Sequence, residues 1–263
     1  MSDIVIIKRI QNIKVNFFIK YNLLFFILII ISKYSFSQIL PSHHAVHHKP
    51  GIIKSNLILH LDASNTNSFD SNDLTSWNDL SSSENDLSLV VGGVSYSSDN
   101  GGIINFNDDA FRKATFTNFT GNQFTLSMWV RTTQGNGRLF SVARASCCYG
   151  KQMIFWTDNS KIGVYGGGDS ASNVNDGTWK FITVVRNSGT YKYFINQNTD
   201  VTRTGKDSKT FDNNNIVIGW DYRNNSASSG FVGDIGAVYF YNTNLSNDQV
   251  TLNYNETKSR YGH

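Results

Sequence analysis

The chain has 263 residues, of which 16% are charged and 13% are aromatic. This low charge and high aromatic content exclude a disordered chain and a coiled coil. The formal net charge of +3 is uneven, because residues 1–37 carry +4 and the rest of the chain carries −1. A nearly neutral body without a basic cluster argues against nucleic acid as a partner, since phosphate binding needs concentrated lysine and arginine.

Residues 1–37 have the pattern of a secretory signal peptide. Two lysines precede an unbroken apolar run at 23–31, and Ser35 and Ser37 provide the small residues expected before a cleavage site. Nine apolar residues are too few to cross a bilayer, which takes about 20. The pattern predicts cleavage after Ser37 and a secreted, periplasmic or cell-surface mature chain without a transmembrane segment. An uncleaved signal anchor is the alternative.

Residues 38–55 are predicted to form a linker. The segment contains both prolines of the chain and four of its six histidines: Pro41, Pro50, His43, His44, His47 and His48. Two adjacent histidine pairs could hold a transition metal. No carboxylate or cysteine joins them, which favours a flexible, solvated segment.

Residues 56–263 are predicted to form one all-β domain. The region has no proline, and clusters of Gly, Asn, Ser and Asp separate apolar runs at 57–61, 124–131, 180–186, 191–196, 216–219 and 236–241. Several runs alternate with a period of two, which is typical of strands with one buried face. Many short strands with turns between them indicate an antiparallel sandwich or barrel. A capping box formed by Ser246 and Gln249 predicts a short C-terminal helix over 247–258.

Several segments follow one another in the order of a known family. They are NLILHLDASNTNSF, SWNDLSSSENDLSLV, GGIINFNDD, FTLSMWVRT, DGTWKFITVVRNSGTYKYFINQ and FVGDIGAVYFYNTNLSNDQVTLNYNETKSRYG. Over about 56–262 the chain resembles the concanavalin A-like, laminin-G-like sandwiches, most closely the subgroup of bacterial surface and phage structural proteins. It departs from the family where Lys180 and Phe181, instead of two histidines, follow Trp179. The resemblance implies a two-sheet jelly roll closed by pairing of 57–61 with 236–241.

Members of this family mostly bind glycans or proteins, although related sandwiches include glycosidases and lyases. Sandwich glycosidases usually need two carboxylates that flank the sugar bond. The chain after residue 37 has just two glutamates, Glu84 in a predicted loop and Glu256 in the predicted helix. Asp108 and Asp109 are adjacent, and neighbours on a strand point to opposite faces. With His60 expected to be a packed or edge histidine, we predict no catalytic residues.

Aromatic residues in a turn are the first candidate ligand site. Trp220, Asp221, Tyr222 and Arg223 lie in GWDYRNNSASSG, between two predicted strands. Aromatic rings stack on the apolar faces of sugars, and Asp and Arg can bond to the hydroxyl groups. The alternative is that these residues only shape the loop.

The only two cysteines, Cys147 and Cys148, are the second candidate feature. In an oxidising compartment they could form a strained vicinal disulfide beside Tyr149, and strained geometry concentrates at functional loops. Trp156 could line the same surface. The alternatives are two thiols, one buried and one exposed, or a bridge to a second chain.

The resemblance also makes calcium a candidate cofactor, because related sandwiches bind it through Asp and backbone carbonyl groups. The acids nearest to family positions are Asp62, Asp221 and Asp234. No other cofactor is indicated. The sequence thus predicts a secreted, non-catalytic module that binds a glycan or a surface protein in cell adhesion or assembly. The alternatives are a structural or protein-interaction domain of an envelope or virion, and an unusual polysaccharide-acting enzyme.

Overall fold

The computed structural model describes residues 51–116, 119, 121–143, 153–206, 215–221 and 230–263, with the backbone alone at 143, 153–156 and 158. Within these residues one helix, α1, covers Asn247–Thr257 and is continued by a 3₁₀ turn, Lys258–Tyr261. The strands in chain order are β1 Leu57–Asp62, β2 Ser76–Trp77, β3 Leu87–Val91, β4 Ser95–Ser97, β5 Ile103–Asn107, β6 Ala110–Lys113, β7 Gln123–Arg131, β8 Gly137–Ala143, β9 Met153–Asp158, β10 Lys161–Val164, β11 Gly168–Asn173, β12 Lys180–Asn187, β13 Thr190–Ile195, β14 Asn198–Arg203, β15 Asn215–Ile218 and β16 Val232–Tyr241.

The strands form two antiparallel sheets. The first has the order β14-β13-β12-β7-β16-β5-β4, with β1 also paired to β16, and the second has the order β11-β10-β9-β8-β15-β6-β3-β2. The predicted closure of the domain is confirmed, since Leu61 in β1 lies opposite Val238 in β16. The architecture is the predicted all-β jelly-roll sandwich with a short C-terminal helix.

The main core lies between the two sheets and follows the alternation in the sequence. In β7, Phe124, Leu126, Met128 and Val130 all point into this core. Trp129 points the other way and belongs to a separate apolar cluster on the outer face of the first sheet. Burying a large apolar side chain stabilises the fold by about 1.5–3 kcal/mol, so strict alternation fixes the register of the strand.

Helix α1 and the residues after it cover the outer face of the first sheet. Ser246 Oγ accepts a hydrogen bond from Gln249 N at 3.2 Å, and Ser246 N donates to Gln249 Oε1 at 2.9 Å, so the predicted capping box is present. Trp129 Nε1 donates to Thr257 Oγ1 at 2.8 Å, and the Trp129 ring stacks on Tyr261 at a centroid distance of 4.1 Å. Access to the first sheet is therefore restricted where these elements pack.

Two groups of polar contacts lie at opposite edges of the sandwich. Arg260, which follows α1, donates to Asp62 Oδ1 at 2.6 Å, to Asn100 O at 2.7 Å and to Gly102 O at 2.9 Å. At the opposite edge the Asp200 carboxylate of β14 accepts hydrogen bonds from backbone N–H groups of β11, including Ala171 N. The second group joins the edge strands of the two sheets.

The first residues that the structure describes also contact this domain. Ile53 N donates to Asn253 Oδ1 at 2.8 Å, and Tyr241 Oη donates to Ile53 O at 3.0 Å. Ile52 and Ile53 pack against the cluster around Trp129. No helix among the described residues combines the length and apolarity that crossing a bilayer would require.

Candidate ligand-binding site

One carboxylate oxygen organises the corner that contains Trp220. Asp108 lies in the turn between β5 and β6 with φ +67°, a left-handed conformation that aspartate tolerates better than most residues. Its Oδ1 accepts hydrogen bonds from Trp220 Nε1 at 2.8 Å and from Gly230 N at 2.9 Å. Any Cβ at Gly230 would lie 1.9 Å from Asp108 Oδ1 and 2.8 Å from the indole nitrogen, so the approach of this backbone requires glycine.

The neighbouring carboxylate, Asp109, has a separate structural role. Its side chain is buried, and it accepts hydrogen bonds from Gly93 N at 2.8 Å and from Asn107 N at 2.7 Å. We expected strand alternation to keep Asp108 and Asp109 apart, but Asp108 lies in a turn. The two acids act separately because each carboxylate is bonded to different donors.

The second-sheet face begins beside this corner. It is defined as the outward side of β3, β6, β15 and β8, where Ser88, Arg112, Val217 and Ser141 lie opposite one another in a row. Arg112 donates to Asn215 Oδ1 at 3.2 and 2.9 Å through two of its nitrogens. Val217 and Ser141 are buried, whereas Ser88 is exposed and Arg112 is half-buried, so the accessible part of this face lies on β3 and β6.

Trp220 and Asp221 are both held at the base of this region. Trp220 packs with Ala110 and Val217 and is 9% exposed, and Asp221 is 2% exposed. Ser141 Oγ donates to Trp220 O at 3.1 Å. Because little of the indole face is accessible, Trp220 contributes a fixed base to the corner rather than a large stacking surface.

The other predicted site residues are only partly covered by the structure. Tyr222, Arg223, Cys147, Cys148 and Tyr149 lie outside the described residues, so their roles stay predictions. The backbone of Trp156 lies in β9 opposite Arg138 of β8.

Strand direction separates the attachment points of the two candidate loops. Segment 144–152 leaves the second sheet at Ala143, which pairs with Asn215. Trp220 follows Ile218, which pairs with Phe140, three residues away along β8. Three residues of strand span about 10 Å, so the cysteine segment and the Trp220 segment start from opposite ends of this strand pair.

The candidate catalytic groups are dispersed. Glu84 lies in a turn with φ +51°, and Glu256 lies in α1. His60 lies in β1 and packs on Tyr239 at a ring-centroid distance of 5.1 Å. Burial is the main cause that lowers the pKa of His60, and Lys54 lowers it further, whereas Asp62 and Asp79 oppose the shift.

Calcium binding stays a prediction. Among the described residues no three His, Cys, Asp or Glu side chains come together as metal ligands. Asp62 pairs with Arg260 at 2.6 Å, and Asp234 pairs with Arg131 at 2.6 Å. Each of these two candidate acids is therefore engaged in an ion pair with an arginine.

A cleft of about 480 Å³ lies elsewhere, between the β12–β13 hairpin and residues 244–249. We call it the hairpin cleft. Val185 and Leu245 line it together with Lys192 and several amide side chains. Sequence reasoning missed this cleft because its two walls are about 50 residues apart along the chain and neither wall carries a recognisable motif.

The two antiparallel sheets define the fold as a jelly-roll sandwich. Residues 105–251, more than half of the chain, match the family model Laminin_G_3, described as the concanavalin A-like lectin/glucanases superfamily. The chain belongs to this family, which confirms the resemblance found in the sequence. No curated protein sequence matches the chain.

Solved structures with low sequence identity share the fold. One is domain 4 of AbnA, a GH43 extracellular arabinanase from Geobacillus stearothermophilus, in complex with arabinotriose; its TM-score is 0.54 at 19% identity, over 76% of this chain and 98% of that one. The binding domain of paraclostridial mosquitocidal protein 1 has a TM-score of 0.56 at 14% identity, over 76% and 52%. The binding domain of botulinum neurotoxin DC, in complex with rat synaptotagmin II, has a TM-score of 0.54 at 14% identity, over 78% and 52%. The chain therefore spans about half the length of the two toxin chains.

Proposed function

We propose that this protein is a secreted, non-catalytic domain that recognises carbohydrate at the corner around Asp108 and on the adjoining second-sheet face. Its role would be adhesion to, or assembly on, a glycan-bearing surface. The fold supports a binding domain, and the arabinotriose complex of the similar arabinanase domain supports an oligosaccharide as the first class of ligand to test.

The observation that carries this proposal is the double contact of Asp108. The same carboxylate oxygen binds Trp220 and Gly230, the residues on either side of the stretch that contains Tyr222 and Arg223. Holding both ends of a recognition segment lowers the conformational entropy lost when a ligand binds. Trp220 is then a positioning residue, while Tyr222 provides the ring that stacks on a sugar and Arg223 bonds to hydroxyl groups.

The second-sheet face offers further contacts beside this corner. Ser88 is exposed and Arg112 is half-buried, and the Asn215 amide holds the Arg112 guanidinium in place. Val90, on the same edge of the sheet, is 45% exposed. Hydroxyl groups of a sugar can bond to the polar side chains while the apolar face of its ring rests on the valine.

The placement of the acidic residues supports binding without catalysis. Glu84 and Glu256 lie in a turn and in a helix, not side by side on a strand that faces a cleft. Asp108 and Asp109 are each engaged by N–H donors. A glycosidase needs one carboxyl group free to donate a proton and a second to act as nucleophile or base.

The proposal that the protein is secreted depends on the signal-peptide pattern of residues 1–37. Expression with the native leader, followed by N-terminal sequencing, should give a mature protein that begins at Gln38. A protein that retains its leader in the membrane fraction would indicate a signal anchor instead.

Glycan-array screening of the purified protein, followed by calorimetry with the best neutral oligosaccharide, tests the binding function. We expect saturable binding that Tyr222→Ala weakens about tenfold, the loss typical of an aromatic contact residue. Tyr165→Ala is the matched control, because Tyr165 is a tyrosine that is 44% exposed and lies in the β10–β11 turn. Absence of glycan binding at millimolar concentrations would contradict the proposal and favour a protein partner.

A further inference from the structure

Two amide side chains that line the hairpin cleft have their oxygens bonded to donors of the protein. Asn247 Oδ1 accepts from Lys192 Nζ at 3.0 Å, and Gln249 Oε1 accepts from Ser246 N at 2.9 Å. An ammonium group and a backbone N–H can only donate, so these partners fix the orientation of both amides. The oxygen of each amide is therefore directed to the protein, and the two NH₂ groups remain as donors for a ligand.

A third amide, at the other wall, pairs with the side-chain amide of Gln123, which can both donate and accept. Asn187 Oδ1 accepts from Gln123 Nε2 at 3.1 Å. Lys192, in β13, is half-buried and adds a positive charge, and no aspartate or glutamate lines the cleft. Donors and one cation without an acid suit a ligand group that only accepts hydrogen bonds and carries negative charge.

The base of the cleft is apolar and well fixed. Val185 is 7% exposed and Leu245 is 4% exposed. Leu245 N donates to Thr125 Oγ1 at 2.9 Å, and Thr125 Oγ1 donates to Thr243 O at 2.9 Å, so this segment is tied to β7. These two side chains close the base of the cleft, and about 480 Å³ lies within the usual range of about 300–1,000 Å³ for small-ligand sites.

We infer that the hairpin cleft binds a sugar residue that carries a carboxylate, as a site separate from the Asp108 corner. The carboxylate lies between the Lys192 ammonium and the amide N–H groups of Asn247 and Gln249. The ring hydroxyl groups bond to the amide side chains of the walls, above the closed base formed by Val185 and Leu245. This inference rests on the proposed glycan-binding function and names a second class of ligand for the same protein.

Calorimetry with digalacturonic acid and with its dimethyl ester tests the inference. The ester keeps the ring and the hydroxyl groups but removes both charges. We expect the acid to bind at least tenfold more tightly than the ester, and its affinity to fall when NaCl is raised from 50 to 500 mM. Equal binding of acid and ester, or no binding of the acid at millimolar concentration, would overturn the inference.

Gln249→Glu is the most specific variant. Glutamate preserves the capping box with Ser246, so the helix should keep its stability, but it replaces the NH₂ donor with a charged oxygen. We expect digalacturonic acid binding to fall at least tenfold with an unchanged melting temperature. Lys192→Gln should produce a similar loss, because it removes a charge-assisted hydrogen bond. Wild-type affinity in both variants would contradict the inference.

Two controls separate this site from the one proposed above. Lys206→Gln removes an exposed lysine that does not line the cleft and should leave binding of the acid unchanged. Neutral oligosaccharide binding that Tyr222→Ala weakens should survive Lys192→Gln. A wild-type protein that binds the neutral oligosaccharide but not the acid rejects the cleft. A wild-type protein that binds the acid but not the neutral oligosaccharide rejects the Asp108 corner.

Discussion

Asp108 provides the sharpest test of how the candidate corner is built. Replacing it with alanine removes an acceptor for Trp220 Nε1 and Gly230 N, and each of the two hydrogen bonds contributes about 1 kcal/mol. Alanine at φ +67° adds a backbone cost of about 1 kcal/mol. We therefore expect Asp108→Ala to lower the free energy of unfolding by about 3 kcal/mol.

Two matched variants divide this loss into its parts. Asp108→Gly relieves the backbone strain but keeps the loss of both hydrogen bonds, so it should cost about 2 kcal/mol. Asp108→Asn retains an oxygen acceptor and a residue that tolerates positive φ, so it should cost about 1 kcal/mol or less.

Urea denaturation followed by circular dichroism at 25 °C measures these differences. For a domain of this size, a loss of about 3 kcal/mol corresponds to a fall in Tm of about 6–12 °C. A loss below about 0.5 kcal/mol for Asp108→Ala would refute the reasoning, because the corner would then not depend on this carboxylate.

Three further predictions concern other parts of the domain. Arg260→Gln should lower the free energy of unfolding by about 2 kcal/mol in thermal melts, because it removes the guanidinium that donates to Asp62 and to two backbone carbonyls, and a wild-type Tm would contradict this. Burial lowers the pKa of His60 from its usual 6.5, so the stability gained from the neutral ring is complete above about pH 6.5 and is lost as the pH falls towards the folded-state value. Urea midpoints at pH 5 and pH 7.5 should therefore differ less for His60→Gln than for the wild type, and an equal difference would argue against this role. Asp200→Ala should speed hydrogen exchange at Ala171 N about tenfold, whereas Asp200→Asn should retain protection; unchanged exchange in both would mean that the edge contact is not formed in solution.

The strands of the domain could be predicted from the sequence because alternate side chains of a strand point to opposite faces, and apolar residues occupy the buried face. The run that became β7 alternates between core residues such as Leu126 and the outward Trp129, and a shift by one residue would exchange the two faces. The capping box at Ser246 is a local signal within four residues, so it was equally accessible.

The contacts that form the candidate sites are non-local, and no local pattern encodes them. Asp108 and Trp220 are 112 positions apart, and only the folded chain brings their side chains together. The turn that places Asp108 at positive φ also removed the strand alternation that we expected for the Asp108–Asp109 pair. The hairpin cleft forms only when the β12–β13 hairpin packs beside residues 244–249, about 50 positions away, and no local pattern encodes that packing.

The measurement that tests the central claim most directly is calorimetry of the purified protein with its best array glycan, followed by mass spectrometry of the recovered ligand. The account predicts a saturable binding isotherm and an oligosaccharide that is recovered at its original length after prolonged incubation. Recovery of shortened products, abolished by changing one acidic side chain, would contradict the claim that this sandwich binds its ligand without catalysis.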